Sequence, residues 1–375
     1  VGLEVDGVVA PTMLGHILKE RRLAIRGGIQ IAVRVWGEDP RTITNPAERW
    51  IAVHGWLDNA GSFDFLAPLL LKRGAKSIAC IDLAGHGQSD WRSTGTYHVV
   101  DNVADVIYTA DALEWKQFSL IGHSLGGCIS QTIAAAMPDR VLRLVSIEAM
   151  GFWAQDSHTF VKNIRRSLLD KPRGGNMQIY PSLEECAVRR SATTSLGSLS
   201  KEAAMTMVER GTRKSDCDMG YIWSSDPNLL APSRHRVDEI VARSILSHIE
   251  CPQLIIVCRD GIWKDAAPFG LTLFSIPWGV TIFFANFAAR VVHVMTKGFT
   301  PISAEISKEA GVIGKIRFVY MMLFRRWLVC RTSKFVHMNS GGHHPHLMEP
   351  EEVAGHIGDW LGKEGGDKRL KIKQE

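Results

Sequence analysis

Hydrophobic and polar positions along the chain fall into two alternating registers. Short apolar runs bounded by turn residues read as strands, and apolar positions three or four apart read as helices. Arg22 to Arg26, the pair Gly27-Gly28, and Ile29 or Gln30 to Val35 alternate around a glycine turn, which predicts a β-hairpin. Strands follow at Arg49 to Val53, Ser77 to Leu83, Phe118 to Ile121 and Val141 to Ile147. Helical periodicity separates them at Ser62 to Lys72, Val99 to Trp115 and Gly126 to Met137. Strands alternating with helices at this spacing predict a mostly parallel sheet with helices on both faces.

From 151 to 248 the pattern turns helical and polar, with its clearest helices at Leu183 to Arg190 and Leu199 to Arg210. Pro252 to Cys258 restores a buried strand, Phe335 to Met338 is a last short one, and Pro350 to Leu361 a closing helix. A helical interruption after the sixth strand predicts a cap over the carboxyl ends of the strands, where open α/β sheets bind ligands. The predicted layout is a core over 13–150, a helical cap over 151–248 and a strand with its loop over 249–263. The core then closes over 332–362, and a basic tail occupies 363–375.

Residues 264–331 fit none of this. Ala266 to Ala289 carries no charge for 24 residues, long enough to cross a bilayer, yet it holds Pro268, Pro277 and Asn286. The next apolar stretch is broken by Lys315, Arg317, Arg325 and Arg326. Three readings stay open: a retained non-coding segment, a lid or peripheral membrane contact, and a bilayer span. A single span would part residues before 264 from those after 331, and the second stretch is too charged to return cheaply.

Composition narrows the class. In 375 residues, 45% are hydrophobic and 22% charged, as in ordinary globular proteins. The formal charge of +5 is mild and its basic residues scattered, so no nucleic-acid partner is expected. Seven dispersed cysteines without a C-x-x-C pair predict reduced thiols in an intracellular, cytoplasmic setting, with membrane association open through 264–331. No secretory signal is legible, Met13 reads as a natural start, and Lys373-Gln374-Glu375 is not a peroxisomal signal.

Gly122-His123-Ser124-Leu125-Gly126 fits G-x-S-x-G between a strand and a helix, the context of a strained turn that lifts a serine hydroxyl out of a sheet. Serine needs a base oriented by a carboxylate, and backbone amides aimed at the developing oxyanion. Asp260 follows the strand ending at Cys258, and Glu148, after Val141 to Ile147, is the alternative acid. His343 in Gly341-Gly342-His343-His344 is the candidate base, with His344 the alternative. Trp56 and Leu125 are placed to supply the oxyanion amides, and His54, Gly55 and His123 to border a substrate pocket. His54 and His86 are expected to position loops without transferring protons. Read blandly, Ser124 is a turn serine, Asp260 a cap, and Cys80, Cys128 and Cys258 core fillers. His343, His344 and His346 form a possible metal tract, but with no second ligand cluster in the sequence neither metal nor cofactor is expected.

The segments His54 to Phe63, Asp82 to Ser89, Gly122 to Gly127, Trp223 to Leu229 and Gly342 to Leu347 together resemble the α/β-hydrolase superfamily. Within it they are similar to the serine hydrolase-like proteins, near the epoxide-hydrolase and C–C-hydrolase branch. The resemblance covers roughly residues 20–263 and 333–362. It implies an acid at Asp260, a base at His343, and, with serine rather than aspartate as nucleophile, neither epoxide hydrolysis nor dehalogenation. The expected reaction is cleavage of a small or medium carboxylic ester, a small-molecule substrate, through an acyl-enzyme on Ser124. Asp260 and His343 lie 83 positions apart, far beyond an ordinary connection, so the rival expectation is an impaired hydrolase-fold protein that binds a small molecule or partner.

Overall fold

The computed structural model of the chain describes residues 7–8, 18–154, 157–170, 177–192, 198–217, 219–262, 326, 329–330 and 332–364. The expectations for most of residues 1–12 and for Met13, for most of 264–331 and for the tail beyond 364 lie outside the described residues. The strands are β1 (Gly7–Val8), β2 (Leu18–Ala24), β3 (Gln30–Gly37), β4 (Arg49–Val53), β5 (Ser77–Ile81), β6 (Phe118–His123), β7 (Val141–Ile147), β8 (Thr212–Lys214), β9 (Tyr221–Trp223), β10 (Gln253–Cys258) and β11 (Ser333–Met338). Among the described residues, nine of them form one sheet in the order β1-β2-β3-β5-β4-β6-β7-β10-β11. Pairings from β1 to β5 are antiparallel, and all those from β5 through β11 are parallel.

Strict alternation within the central strands explains why both faces are covered. In β4, Ile51 and Val53 join one core while Trp50 and Ala52 join the other; in β10, Ile255 faces the first and Leu254 and Ile256 the second. Helices α2 (Val99–Ala112) and α3 (Leu125–Ala136) close the first face through Val106, Ala110, Ile129 and Ile133. On the second face lie α1 (Leu66–Leu71) and, at the C-terminal end of the core, a helix spanning Pro350–Glu364, through Leu66, Leu70, Val353, Ile357 and Trp360. The predicted helix from Ser62 divides into a 3-10 turn at Ala60–Phe63 and α1, because the Asn59 side chain caps Gly61 and starts the turn early.

Between β7 and β10 the described chain carries α4 (Phe160–Leu169), α5 (Leu183–Ser191), α6 (Lys201–Gly211) and α7 (Glu239–Ser247). The antiparallel pair β8–β9 between α6 and α7 departs from the purely helical expectation for this region. Its three-residue strands are too short for period-two alternation to show in the sequence. The chain closes with α8 (Pro345–Met348) and α9, the Pro350–Glu364 helix. Among the described residues no helix is long and apolar enough to cross a membrane.

Two buried arginines tie the 151–248 region and the 264–331 region to the sheet. Arg210, at the end of α6, donates through Nε to both carboxylate oxygens of Asp82 at 3.0 Å and through Nη1 to Glu20 at 2.7 and 2.8 Å. Burial alone would raise the Asp82 carboxyl, but Arg210 outweighs it and holds the group below its ordinary range. Arg326, a charge that interrupts an apolar stretch in the sequence, is fully buried. Its guanidinium donates to the carbonyls of Met150 and Phe152, each at 2.7 Å, and to Glu239 of α7 at 2.7 Å. Removing one partner of a buried ion pair strands the other charge. Arg210→Met is therefore expected to cost about 3–5 kcal/mol in urea unfolding, against about 0–1 kcal/mol for Arg213→Ala, whose pair with Asp216 is exposed.

Candidate active site

The turn from β6 into α3 sets the geometry. Ser124 sits at φ 52°, ψ −117°, a strained conformation for a residue with a side chain, and its amide donates to the Ile147 carbonyl at 2.9 Å. Glycine is required around it by contact. A methyl on Gly126 would lie 2.0 Å from the Val53 carbonyl oxygen, and one on Gly122 would lie 2.4 Å from that of Gly126. The helix thus starts against the end of β4, with Leu125 as its first residue.

Three predicted side chains meet there. His343 Nε2 lies 3.0 Å from Ser124 Oγ, and its Nδ1 lies 3.5 Å from Glu148 Oε2. His343 and Glu148 are buried. Burial pulls the imidazole of His343 below its ordinary 6.5, partly offset by its contact with Glu148. Glu148 follows β7 with φ 52°, so it too lies on a strained turn at a strand end. Its Oε1 accepts from the Cys258 amide at 2.6 Å and its Oε2 from the Ile262 amide at 2.8 Å.

Asp260, expected as the acid, is not at His343. Its carboxylate is 64% exposed and pairs with the neighbouring Arg259 at 3.3 Å. The reason lies one residue on. A methyl on Gly261 would sit 2.1 Å from Glu148 Oε2, so the loop after β10 wraps the Glu148 carboxylate and turns Asp260 outward. The alternative base is also displaced: His344 Nε2 faces Asp58 Oδ2 at 3.5 Å.

The histidines expected to border a pocket lie beneath the surface. His54 Nδ1 donates to the Gly55 carbonyl at 2.7 Å and its Nε2 accepts from the Leu83 amide at 3.0 Å, which fixes a neutral tautomer and locks the loop after β5. His86 contacts the Ala84 carbonyl at 3.1 Å, and burial pushes it down to about 3. His123 is fully buried, with Nε2 2.6 Å from the carbonyl oxygen of His343. His54 and His123 therefore serve the loops rather than line open space, and Gly55 lies against Asp58 and His123. Trp56 is half exposed just after β4. Cys80, Cys128 and Cys258 are buried, and burial pushes the Cys128 thiol up to about 12, so none offers a thiolate at neutral pH. Sequence reasoning missed the roles of Arg210, Arg326 and Asp58; their partners are distant in the chain, and only a buried charge inside a core pattern hints at them.

A serine on a strained strand-to-helix turn at the end of a central parallel strand, met by a histidine from the last loop, is the arrangement of the α/β-hydrolase class, and the chain belongs to the α/β-hydrolase superfamily. The family described as alpha/beta hydrolase fold matches residues 51–222. The chain is 32% identical over 220 residues to a serine hydrolase-like protein of Mus musculus, covering 57% of this chain and 67% of that protein. It is 30% identical over 243 residues to one of Dictyostelium discoideum, covering 64% of this chain and 66% of the relative. The crystal structure of hypothetical protein PA1622 from Pseudomonas aeruginosa PAO1 superposes with a TM-score of 0.67 at 26% identity, over 92% of this chain and 99% of that one. The protein is thus a hydrolase of the α/β fold similar to the serine hydrolase-like proteins.

The packing around the turn makes its own prediction. Gly126→Ala drives a methyl into backbone that cannot yield and should cost at least about 3 kcal/mol in chemical unfolding. Gly355→Ala, on a helix position where a methyl meets nothing within 4 Å, should instead gain about 0.5–1 kcal/mol.

Proposed function

We propose that the protein is a serine hydrolase that cleaves small or medium carboxylic esters, with Ser124 as nucleophile, His343 as base and Glu148, in place of Asp260, as the acid. The observation that carries this reading is the continuous line Ser124 Oγ, His343 Nε2, His343 Nδ1 and Glu148 Oε2. The outer contact, at 3.5 Å, is long for a hydrogen bond and shortens as the ring gains charge, since such contacts tighten along the reaction.

In the first half-reaction Ser124 Oγ attacks the ester carbonyl carbon while its proton passes to His343 Nε2. The carbonyl oxygen becomes an oxyanion, held by the amides of Leu125 and Trp56, each worth roughly 3 kcal/mol where such donors have been removed. The amino end of α3 adds its dipole. Collapse breaks the C–O bond, and His343 protonates the leaving alkoxide as the acyl-enzyme forms. In the second half, His343 deprotonates a water that attacks the acyl carbon, then returns the proton to Ser124 as the carboxylic acid leaves. Glu148 keeps the ring oriented and stabilises the imidazolium. On this reading α4 to α7 with the β8–β9 hairpin act as a cap that sets substrate size.

A fluorophosphonate probe tests the reading, because it reacts with an activated serine without requiring the natural substrate. Wild-type protein should label on Ser124, Ser124→Ala not at all, and His343→Ala at least about a thousandfold more slowly. The base acts only when neutral and burial lowers its pKa, so the labelling rate should fall in acid with a midpoint below 6.5 and stay flat at neutral pH. Absence of wild-type labelling would remove the enzyme reading and leave a binding role.

A further inference from the structure

Behind His343 lies a second group of side chains that the ester chemistry does not use. Asp58, from the loop after β4, His123, at the end of β6, and His344, next to His343, are all buried. One ligand-type atom from each lies within 4.8 Å of the other two. His123 Nδ1 and His344 Nε2 are each 3.5 Å from Asp58 Oδ2.

Two features of this group point to a cation. The first is the state of His123. Its Nε2 is 2.6 Å from the His343 carbonyl oxygen, an acceptor, so Nε2 carries the hydrogen and Nδ1 faces the carboxylate. Nδ1 makes no hydrogen bond although it is fully buried and aimed at Asp58. At 3.5 Å the separation is too long for a good hydrogen bond whichever atom holds a proton.

The second is the spacing. Four-coordinate zinc binds imidazole nitrogen and carboxylate oxygen at about 2.0–2.2 Å, which separates neighbouring ligand atoms by about 3.3–3.5 Å. Both 3.5 Å separations match that edge. Room for the ion is kept on the near side by Gly55, where a methyl would crowd both Asp58 Oδ2 and His123 Nδ1 at 3.0 Å. Arg190 occupies the other oxygen, Oδ1, at 2.6 Å, orienting the carboxylate so that Oδ2 is presented to the histidines. Asp58 and Arg190 also line a small cavity with Asn59, Met207 and Trp223, so the carboxylate lies at the edge of open space.

We propose that Asp58 Oδ2, His123 Nδ1 and His344 Nε2 form a site for a borderline divalent cation of the zinc class, which fastens the His343 loop to the ends of β4 and β6. Two oxygen-and-imidazole donor types suit Zn2+ over Mg2+ or Ca2+, which prefer all-oxygen sites. The ion acts on the base loop from behind. Ligation at Nδ1 makes the opposite N–H of His123 a stronger donor to the His343 carbonyl, and ligation at His344 holds the adjoining residue. The site lies off the Ser124–His343–Glu148 line and stands independently of the ester assignment.

The experiment uses the full chain, stripped with a chelator and titrated with Zn2+ alone at neutral pH. Elemental analysis after gel filtration should find about one zinc per chain, with a thermal midpoint raised by a few degrees. His344→Gln and Asp58→Asn should each weaken binding at least tenfold, in variants whose circular dichroism matches wild type. Co2+ bound to the wild-type protein gives a second readout that needs no variant. Intense visible bands of a tetrahedral nitrogen-and-oxygen site are expected. Failure of the wild-type chain to retain zinc, undiminished affinity in both variants, or cobalt bands of thiolate or octahedral type would each overturn the site.

Discussion

The close approach of α3 to the ends of β4 and β6 is the constraint on which the rest of the site depends. With Gly126 set against the Val53 carbonyl, the helix begins almost on the sheet, and the chain reverses at Ser124 in a conformation that side chains rarely adopt. That strain is held in place by the parallel ladder on both sides, which pairs β6 with β4 and β7. The same logic recurs one strand over. Glu148 leaves β7 with the same positive φ, and the loop after β10 closes on its carboxylate through two amides and the bare Cα of Gly261. Ser124 and Glu148 are thus fixed by backbone, and only His343 arrives from far along the chain.

His343 is delivered by β11, which pairs in register with β10 from Ser333 to Met338 despite the long intervening stretch. Its neighbours show how the loop is secured. His123 holds the His343 carbonyl, and His344 and His123 converge on Asp58. Arg326 contributes from the other direction by gripping the carbonyls of Met150 and Phe152, just beyond Glu148. A residue from the stretch that matches no ordinary connection is therefore built into the support of the loop that follows Glu148.

Much of this was legible in the sequence. Both faces of the parallel strands are buried, so β7 and β10 stand out as bounded apolar runs, and the glycine pattern about Ser124 announces its turn. The choice between Glu148 and Asp260 was harder, because both follow strands and occupy equivalent places in the pattern. What separates them is the direction of a turn and the space left by Gly261, neither of which composition records. The hairpin β8–β9 was invisible for lack of length, and the Arg210 and Arg326 pairs because their partners are remote. His54 keeps its expected loop-positioning place, but its hydrogen bonds, like that of His123, turn it inward from the pocket border that the motifs suggest.

The central claim is that the acid comes from the end of β7. It is tested most directly by steady-state hydrolysis of a short-chain nitrophenyl ester by Glu148→Gln and Asp260→Asn, two changes that remove charge while keeping shape. The account predicts a kcat lower by about a thousandfold or more for Glu148→Gln, as when a triad acid loses its charge, and a value within about twofold of wild type for Asp260→Asn. A collapse of activity in Asp260→Asn with Glu148→Gln left active would contradict it.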